Sequence, residues 1–264
     1  MDQSRELADA GLRLEVDGAV ATVVLDRAEK RNAQTPTMWR GLAEIGRQLD
    51  RDIRVVVLRG EGPSFSAGLD RRMFTPEGIP GEGSLFGLTE LDDGALVAEI
   101  EEYQAAFTWW RRPEIVTIAA VQGHAVGAGF QLALACDLRV VAVDVQFAML
   151  EPGLGLVPDL GGTKPLVDLV GYSRALEMCV TGRRVDAAEA AETGLATIVV
   201  PTEQLLDAAR DLTDAMAAAP HGAVTGTKRL LQGALQRTYD DQRAAERVEQ
   251  TGRLRDLAAH PQST

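Results

Sequence analysis

Two short glycine-containing loops carry the residue types best suited to chemistry. "FSAGLD" (65–70) and "AVGAGFQ" (125–131) each follow an apolar run, carry small side chains and lead toward a helical pattern. Amides at a helix start lack partners within the helix and sit at the positive end of its dipole. Glycine removes the side chain that would keep a ligand or a second backbone away. If the two loops face each other, their amides can hold one oxygen as negative charge develops on it. One such donor is worth about 3 kcal/mol to a transition state. The residues alone equally allow a plainer role, in which the glycines only let strand pack closely on helix.

Acid–base candidates are few. Glu151 stands between apolar "FAML" and "PGLGLVP", a setting that changes a carboxylate's proton affinity, although a solvated loop acid fits the same string. Asp159 in "VPDLGG" offers a second carboxylate, or else a cap for a helix starting near Gly161. Gln131 lies in the first turn of an apolar helix. Its amide can orient a neighbour by hydrogen bonds but takes no proton at neutral pH. Glutamine is also a good helix former with no further role implied. His124, alone after a strand, reads as a hydrogen-bonded structural residue, because a catalytic triad is defined by geometry that no string supplies.

Several chemistries are excluded by what the motifs lack. "GLGLVP" and "GAGFQL" miss the third glycine of a dinucleotide loop, and "GGTK" has its lysine and threonine in the wrong order for a phosphate loop. "PSFSAG" is not a nucleophile elbow. His124, His221 and His260 form no HxxxH or HExxH and there is no CxxC, so no metal is expected. The chain has 264 residues, 45% of them hydrophobic and 25% charged, which suits a folded unit with a sizeable core. A formal charge of -12 without a basic stripe argues against nucleic acid. No apolar run reaches the ~20 residues of a membrane span. "MDQSRELADAG" has no signal-peptide pattern, and Cys136 and Cys179 read as buried reduced thiols, so a cytoplasmic location is expected.

The elements that must position these residues follow from periodicity. "LRLEV" and "AVATVVLD" read as strands around an Asp17-Gly18 turn. Thr35-Pro36 starts a helix, with Met38, Leu42, Ile45 and Leu49 on its apolar face. "RVVVLRG" and "EIVTIAAVQG" are buried strands. A helix covers about 95–111 and another starts near 128. "LRVVA", "QFAM" and "ATIVV" are short strands, 150–163 is a long loop, and helices fill 203–258. Residues 75–94, with five glycines, read as a mobile surface segment.

Taken together, "LDRAEKRNAQ", "PSFSAGLD", "GHAVGAGFQLALACDLRVVA" and "GLVPDLGGT" resemble, in order and spacing, the enoyl-CoA hydratase/isomerase (crotonase) family. The resemblance runs from about residue 12 to 200. It implies an α/β fold, a ββα superhelix core over 1–200, with a C-terminal helical region over 201–264 that takes part in oligomerisation. It also implies a homotrimer or dimer of trimers, and an acyl-CoA thioester substrate with no separate cofactor. By position it assigns the amides of Leu69 and Ala128 to an oxyanion hole, and Lys30, Arg31, Ala67, Gly68, Asp70 and Gly127 to the coenzyme A side. Lys228 would reach a neighbouring subunit's ligand, and Phe74 and Phe86 would line the acyl pocket together with Trp109 and Trp110, although core or trimer packing suits the Trp pair at least as well.

Family hydratases use two glutamates, and the matching positions here are Gln131 and Glu151. The chain therefore departs from the hydratase pattern at Gln131. The resemblance then favours double-bond isomerisation by Glu151, with Asp159 as a second carboxylate. Hydration, and an acyl-CoA-binding protein without turnover, are the alternatives. On this reading Gln131→Glu should raise hydration.

Overall fold

The Asp17-Gly18 turn closes the first hairpin as expected. Strands β1 (Leu12–Asp17) and β2 (Val20–Leu25) pair antiparallel in a computed structural model that describes residues 3–259. His260 lies outside these residues, as do Met1 and Asp2 of the N-terminal stretch. A short helix that periodicity missed, α1 (Gln3–Asp9), lays Leu7 into the core. Helix α2 (Pro36–Gln48) starts where predicted. The Thr35 hydroxyl accepts the Met38 amide at 3.2 Å, and Met38, Leu42 and Ile45 are buried.

The chain continues through β3 (Val55–Gly60), the one-turn α3 (Leu85–Leu88), α4 (Asp93–Thr108), β4 (Val116–Val121) and β5 (His124–Val126). Then come α5 (Ala128–Ala135), β6 (Leu138–Ala142), β7 (Gln146–Ala148), α6 (Thr163–Val170), α7 (Tyr172–Thr181), α8 (Ala187–Thr193) and β8 (Ile198–Val200). Helices α9 (Leu205–Ala218), α10 (His221–Ala234) and α11 (Tyr239–Ala259) complete it.

Six strands form one sheet in the order β1-β2-β3-β4-β6-β8, parallel except for the β1–β2 hairpin. Strands β5 and β7 make a small parallel pair of their own. The central strands are buried on both faces, which explains their unbroken apolar runs. The main cluster gathers residues of α2, α4 and α5. A second cluster joins Leu205 and Ala209 of α9 to Val55, Ile118 and Val140 of the sheet. Helix α9 thus covers the sheet, although it falls within the C-terminal region drawn from the sequence.

Three expectations are corrected here. Trp109 and Trp110 do not line an acyl pocket. They are buried and stacked at 3.9 Å, with the Trp109 ring against Gly46 of α2 and the Trp110 indole donating to the Ala106 carbonyl at 2.8 Å. Residues 75–94 are folded, with Ile79 buried, Ser84 capping α3, and Glu82 accepting the Thr37 amide at 2.6 Å.

Lys228 does not reach outward. Its ammonium is buried and donates to the carbonyls of Arg112 (2.8 Å) and Ile115 (2.6 Å) and to Asp137 (2.7 Å), fastening α10 to the sheet. Removing one partner of a buried pair leaves the other charge uncompensated. Asp137→Ala should therefore lower unfolding stability by about 3–5 kcal/mol. The check is the urea midpoint at unchanged m-value, and an unchanged midpoint would show that the pair contributes nothing net.

Candidate active site

Loop 65–70 is built between two other segments. On one side Phe65 and Ser66 donate to the carbonyls of Gln122 and His124, both at 2.8 Å, and Val126 donates back to Ser66 at 3.1 Å. On the other side Ala67 donates to Arg31, Gln34 to Gly68, and Asp70 to Gln34. This last pair is a parallel bridge between Gln34 and Leu69 that uses the Gly68 carbonyl and the Asp70 amide. The Leu69 amide is thereby turned away from Gln34, toward the side on which the loop meets residues 124–126.

The side chains beneath are fully engaged. Ser66 Oγ donates to the Asn32 carbonyl and accepts the Gly68 amide. Gln34 Nε2 donates to Ser66, and Gln34 Oε1 accepts the Trp39 indole.

The second loop enters α5 through Gly127 (φ 52°, ψ -125°), whose amide donates to the Ala148 carbonyl at 2.8 Å. Ala128 is the first helical residue, so its amide has no partner within the helix. The glycines fit close approach. A Cβ on Gly68 (φ 79°) would lie 2.5 Å from the Val126 carbonyl and 3.5 Å from the Ala128 nitrogen. One on Gly129 would lie 2.6 Å from the Ser66 carbonyl. The two loops thus touch, Gly68 against Val126 and Ala128, and Gly129 against Ser66. One expectation fails in part: the first loop enters only a 3-10 turn (Arg71–Phe74), so a helix dipole acts at Ala128 alone.

Glu151 opens a 3-10 turn (Glu151–Leu154) and faces this junction. A Cβ on Gly127 would lie 3.4 Å from Glu151 Oε1 and 3.9 Å from Oε2. Oε1 accepts the Gln131 amide at 2.8 Å, whereas Oε2 is buried with no hydrogen-bond partner. Burial raises the Glu151 pKa above its ordinary 4.5. The backbone amides of Glu151 and Leu150 and the side chain of Gln131 oppose that rise, and the Asp159 charge reinforces it. Asp159 is not a helix cap, because α6 begins at Thr163 with Gly162 before it. Its carboxyl is also raised by burial, and its carbonyl accepts Gln104 of α4 at 2.5 Å.

Gln131 is fully buried. Its Oε1 accepts the amides of Leu160 (3.0 Å) and Gly162 (3.2 Å), and its Nε2 donates to Glu151.

Lys30 and Arg31 are exposed on a one-turn helix beside Ala67, and Arg31 is left-handed (φ 50°). Asp70 is not open for a ligand. Its carboxylate caps residues 71–74 and binds Arg72 (2.9 Å) and Arg27 (3.2 Å), which hold its pKa at about 2. Phe86 is exposed and Phe74 half-buried on the segment that follows. His124 bonds Ser64 at 3.3 Å, and burial lowers its pKa, with Arg184 and Arg31 adding to the effect. Arg184 is a cation at this rim that sequence reasoning missed. The Arg183-Arg184 pair belongs to no motif, and only folding brings it near His124. Among the described residues no group of three or more His, Cys, Asp or Glu is placed to hold a metal.

A family model for enoyl-CoA hydratase/isomerase matches residues 15–255. The chain belongs to the enoyl-CoA hydratase/isomerase family. Among family relatives, (E)-benzylidenesuccinyl-CoA hydratase of Thauera aromatica is 35% identical over 218 residues, 81% of this chain and 79% of that one. Carnitinyl-CoA dehydratase of Proteus mirabilis is 34% identical over 226 residues, 83% and 79% of the two chains. The crystal structure of a candidate enoyl-CoA hydratase from Thermobifida fusca in complex with acetoacetyl-CoA superposes with a TM-score of 0.93. It shares 48% identity over 96% of this chain and 98% of that one. The α/β crotonase architecture expected from the motifs is thus the fold observed.

Proposed function

We propose that this family member shifts the double bond of a 3-enoyl-CoA to the conjugated 2-enoyl-CoA. The thioester oxygen is held by the amides of Leu69 and Ala128, and Glu151 moves the proton. The observation that carries the reading is the pairing of Glu151 with Gln131. A buried carboxylate with one unpartnered oxygen sits beside the loop junction, and the position where hydratases keep a second glutamate is a buried amide. Glu151 takes a proton from C2 as the C–H pair enters the enolate, then returns it at C4 as the double bond closes between C2 and C3. Atoms and charge balance with one carboxylate. Asp159, buried nearby, tunes Glu151 through its charge.

Coenzyme A lies along Lys30, Arg31 and Ala67, with Gly68 and Gly127 clearing space for the thioester, and no cofactor is needed beyond it. The enzyme is cytoplasmic; no described helix is long and apolar enough to cross a membrane. A homotrimer or dimer of trimers is supported by the exposed stripe Tyr172, Leu176 and Val180 on α7 and by the absence of buried residues on α11.

Hydration is the second reading. The hydratase and dehydratase names of the relatives favour it, as does the electrostatic coupling of Asp159 to Glu151, which would supply two acids. Ultraviolet absorbance of the conjugated thioester separates the two. A rise with a 3-enoyl-CoA is expected. A fall with a 2-enoyl-CoA and no reaction of the 3-enoyl substrate would replace isomerisation by hydration.

The pH dependence has a definite sign. The base must be ionised, and burial raises the pH at which Glu151 ionises. The kcat should therefore rise with pH along a limb centred above 4.5, the ordinary value for Glu. A limb at or below that value would remove Glu151 as the base.

A further inference from the structure

We infer that Gln131 is a positioning residue that assigns the proton to one particular oxygen of Glu151, Oε2. The inference deepens the proposed function and rests on its choice of Glu151 as base.

The orientation of the Gln131 amide is not arbitrary. Leu160 and Gly162 both present backbone N–H groups to one of its terminal atoms, at 3.0 and 3.2 Å, so that atom is the oxygen. The nitrogen is then obliged to face Glu151, where it donates to Oε1 at 2.8 Å. The side chain is fully buried, and turning it over would set its NH2 against the N–H groups of Leu160 and Gly162 and its oxygen against the Glu151 carboxylate. A permanent donor on Oε1 favours the anion and makes that oxygen the less ready of the two to carry the proton. Oε2, buried without a partner, is the readier to do so, and both oxygens lie near Gly127, at 3.4 Å for Oε1 and 3.9 Å for Oε2 from a Cβ built there.

The other ionisable groups facing Glu151 are Asp159, on the loop beyond it, and Cys179 of α7. Neither donates to it. Gln131 also ties the 160–162 backbone to the base, so one amide sets both the carboxylate and the loop that carries Asp159.

This reading reverses the expectation drawn from the sequence. Gln131→Glu keeps an acceptor for Leu160 and Gly162 but replaces the donor to Glu151 by a second carboxylate. Two such oxygens at hydrogen-bond distance share one proton. Glu151 then holds a proton at neutral pH and ceases to be a base.

The test titrates Glu151 directly by NMR, with carbon-13 in the glutamate side-chain carboxyls and the Glu151→Gln spectrum to assign its signal. Wild type and Q131E are compared without substrate. The Glu151 midpoint should rise by about one unit or more, as like carboxylates in one site require. The pH–rate limb should move with it, KM staying near wild type while kcat at neutral pH falls about tenfold or more. An unmoved Glu151 midpoint in Q131E, or hydration gained at neutral pH, would overturn the inference. Gln131→Met, which removes the donor and adds no charge, separates this role from that of an amide that merely anchors the 160–162 loop, for which its midpoint would stay unmoved.

If Q131E does not fold, Gln131→Met is read in the same way. Loss of the donor should still raise the midpoint, and an unchanged one overturns the inference. The titration needs no turnover. Failure of wild type on a 3-enoyl-CoA would therefore sink the proposed reaction, and the Glu151 midpoint would still decide the role of Gln131.

Discussion

Glu151→Gln is expected to lower kcat on a 3-enoyl-CoA by about 10²–10⁴-fold, the range a positioned proton-transfer group supplies. KM should change little. The substitution is close to isosteric, and the new amide oxygen can still accept from Gln131 at the position where Oε1 now sits 2.8 Å away. What disappears in the proposed mechanism is the basic carboxylate beside Gly127. Steady-state kinetics together with calorimetric titration of a saturated acyl-CoA make the check. Lost turnover with retained affinity supports the enzyme reading. Unchanged kcat would move the base elsewhere, with Asp159 the next candidate. If wild type and variant bind the thioester equally and neither turns over any enoyl-CoA, the chain is an acyl-CoA-binding member of its family.

Gly68→Ala should have an effect of similar size for a different reason. Its φ of 79° costs a side-chain-bearing residue about 1–2 kcal/mol. The new Cβ would also meet the Val126 carbonyl at 2.5 Å, a backbone atom that cannot step aside without moving loop 125–128. The two amides proposed to hold the thioester oxygen would be pushed apart. A misplacement of about 1 Å can cost about 10²-fold in rate. The expected result is a drop in kcat of about that size together with a lowered unfolding midpoint.

Gly81→Ala is the internal control. Gly81 has nearly the same φ, 80°, but nothing within 4 Å of its built Cβ. It should therefore show the conformational cost without the loop displacement. If both variants keep wild-type kcat, contact between the loops has no part in holding the substrate.

The sequence makes some of this legible because local rules decide it. The Asp17-Gly18 hairpin, the Thr35-Pro36 helix start and the unbroken apolar strands β3 and β4 are fixed by turn chemistry, capping and burial over a few residues. The two glycine loops were equally readable, although their contact was not. It depends on Ser66 and Ala125, fifty-nine positions apart in the chain, lying side by side.

The misses share one cause, which is that long polar or aromatic side chains can face either way. Lys228 looks like a surface lysine on an amphipathic helix, yet three acceptors from two distant segments draw it inward. The Trp109-Trp110 pair looks like a pocket wall, but Gly46 on α2 makes room for one of the rings in the core. Gln131 reads as an amide in the place of an acid. Only the amides of Leu160 and Gly162, about thirty residues on, show that its carbonyl is occupied and its nitrogen committed to Glu151.

The measurement closest to the central claim follows the proton itself. A 3-enoyl-CoA carrying deuterium at C2 is converted in ordinary water under single-turnover conditions, and the product is examined by NMR for deuterium at C4. One carboxylate that both removes and returns the proton predicts deuterium at C4 in part of the product, and that transfer should vanish in Glu151→Gln. Product formed with solvent hydrogen alone at C4, at an undiminished rate in Glu151→Gln, would contradict the account.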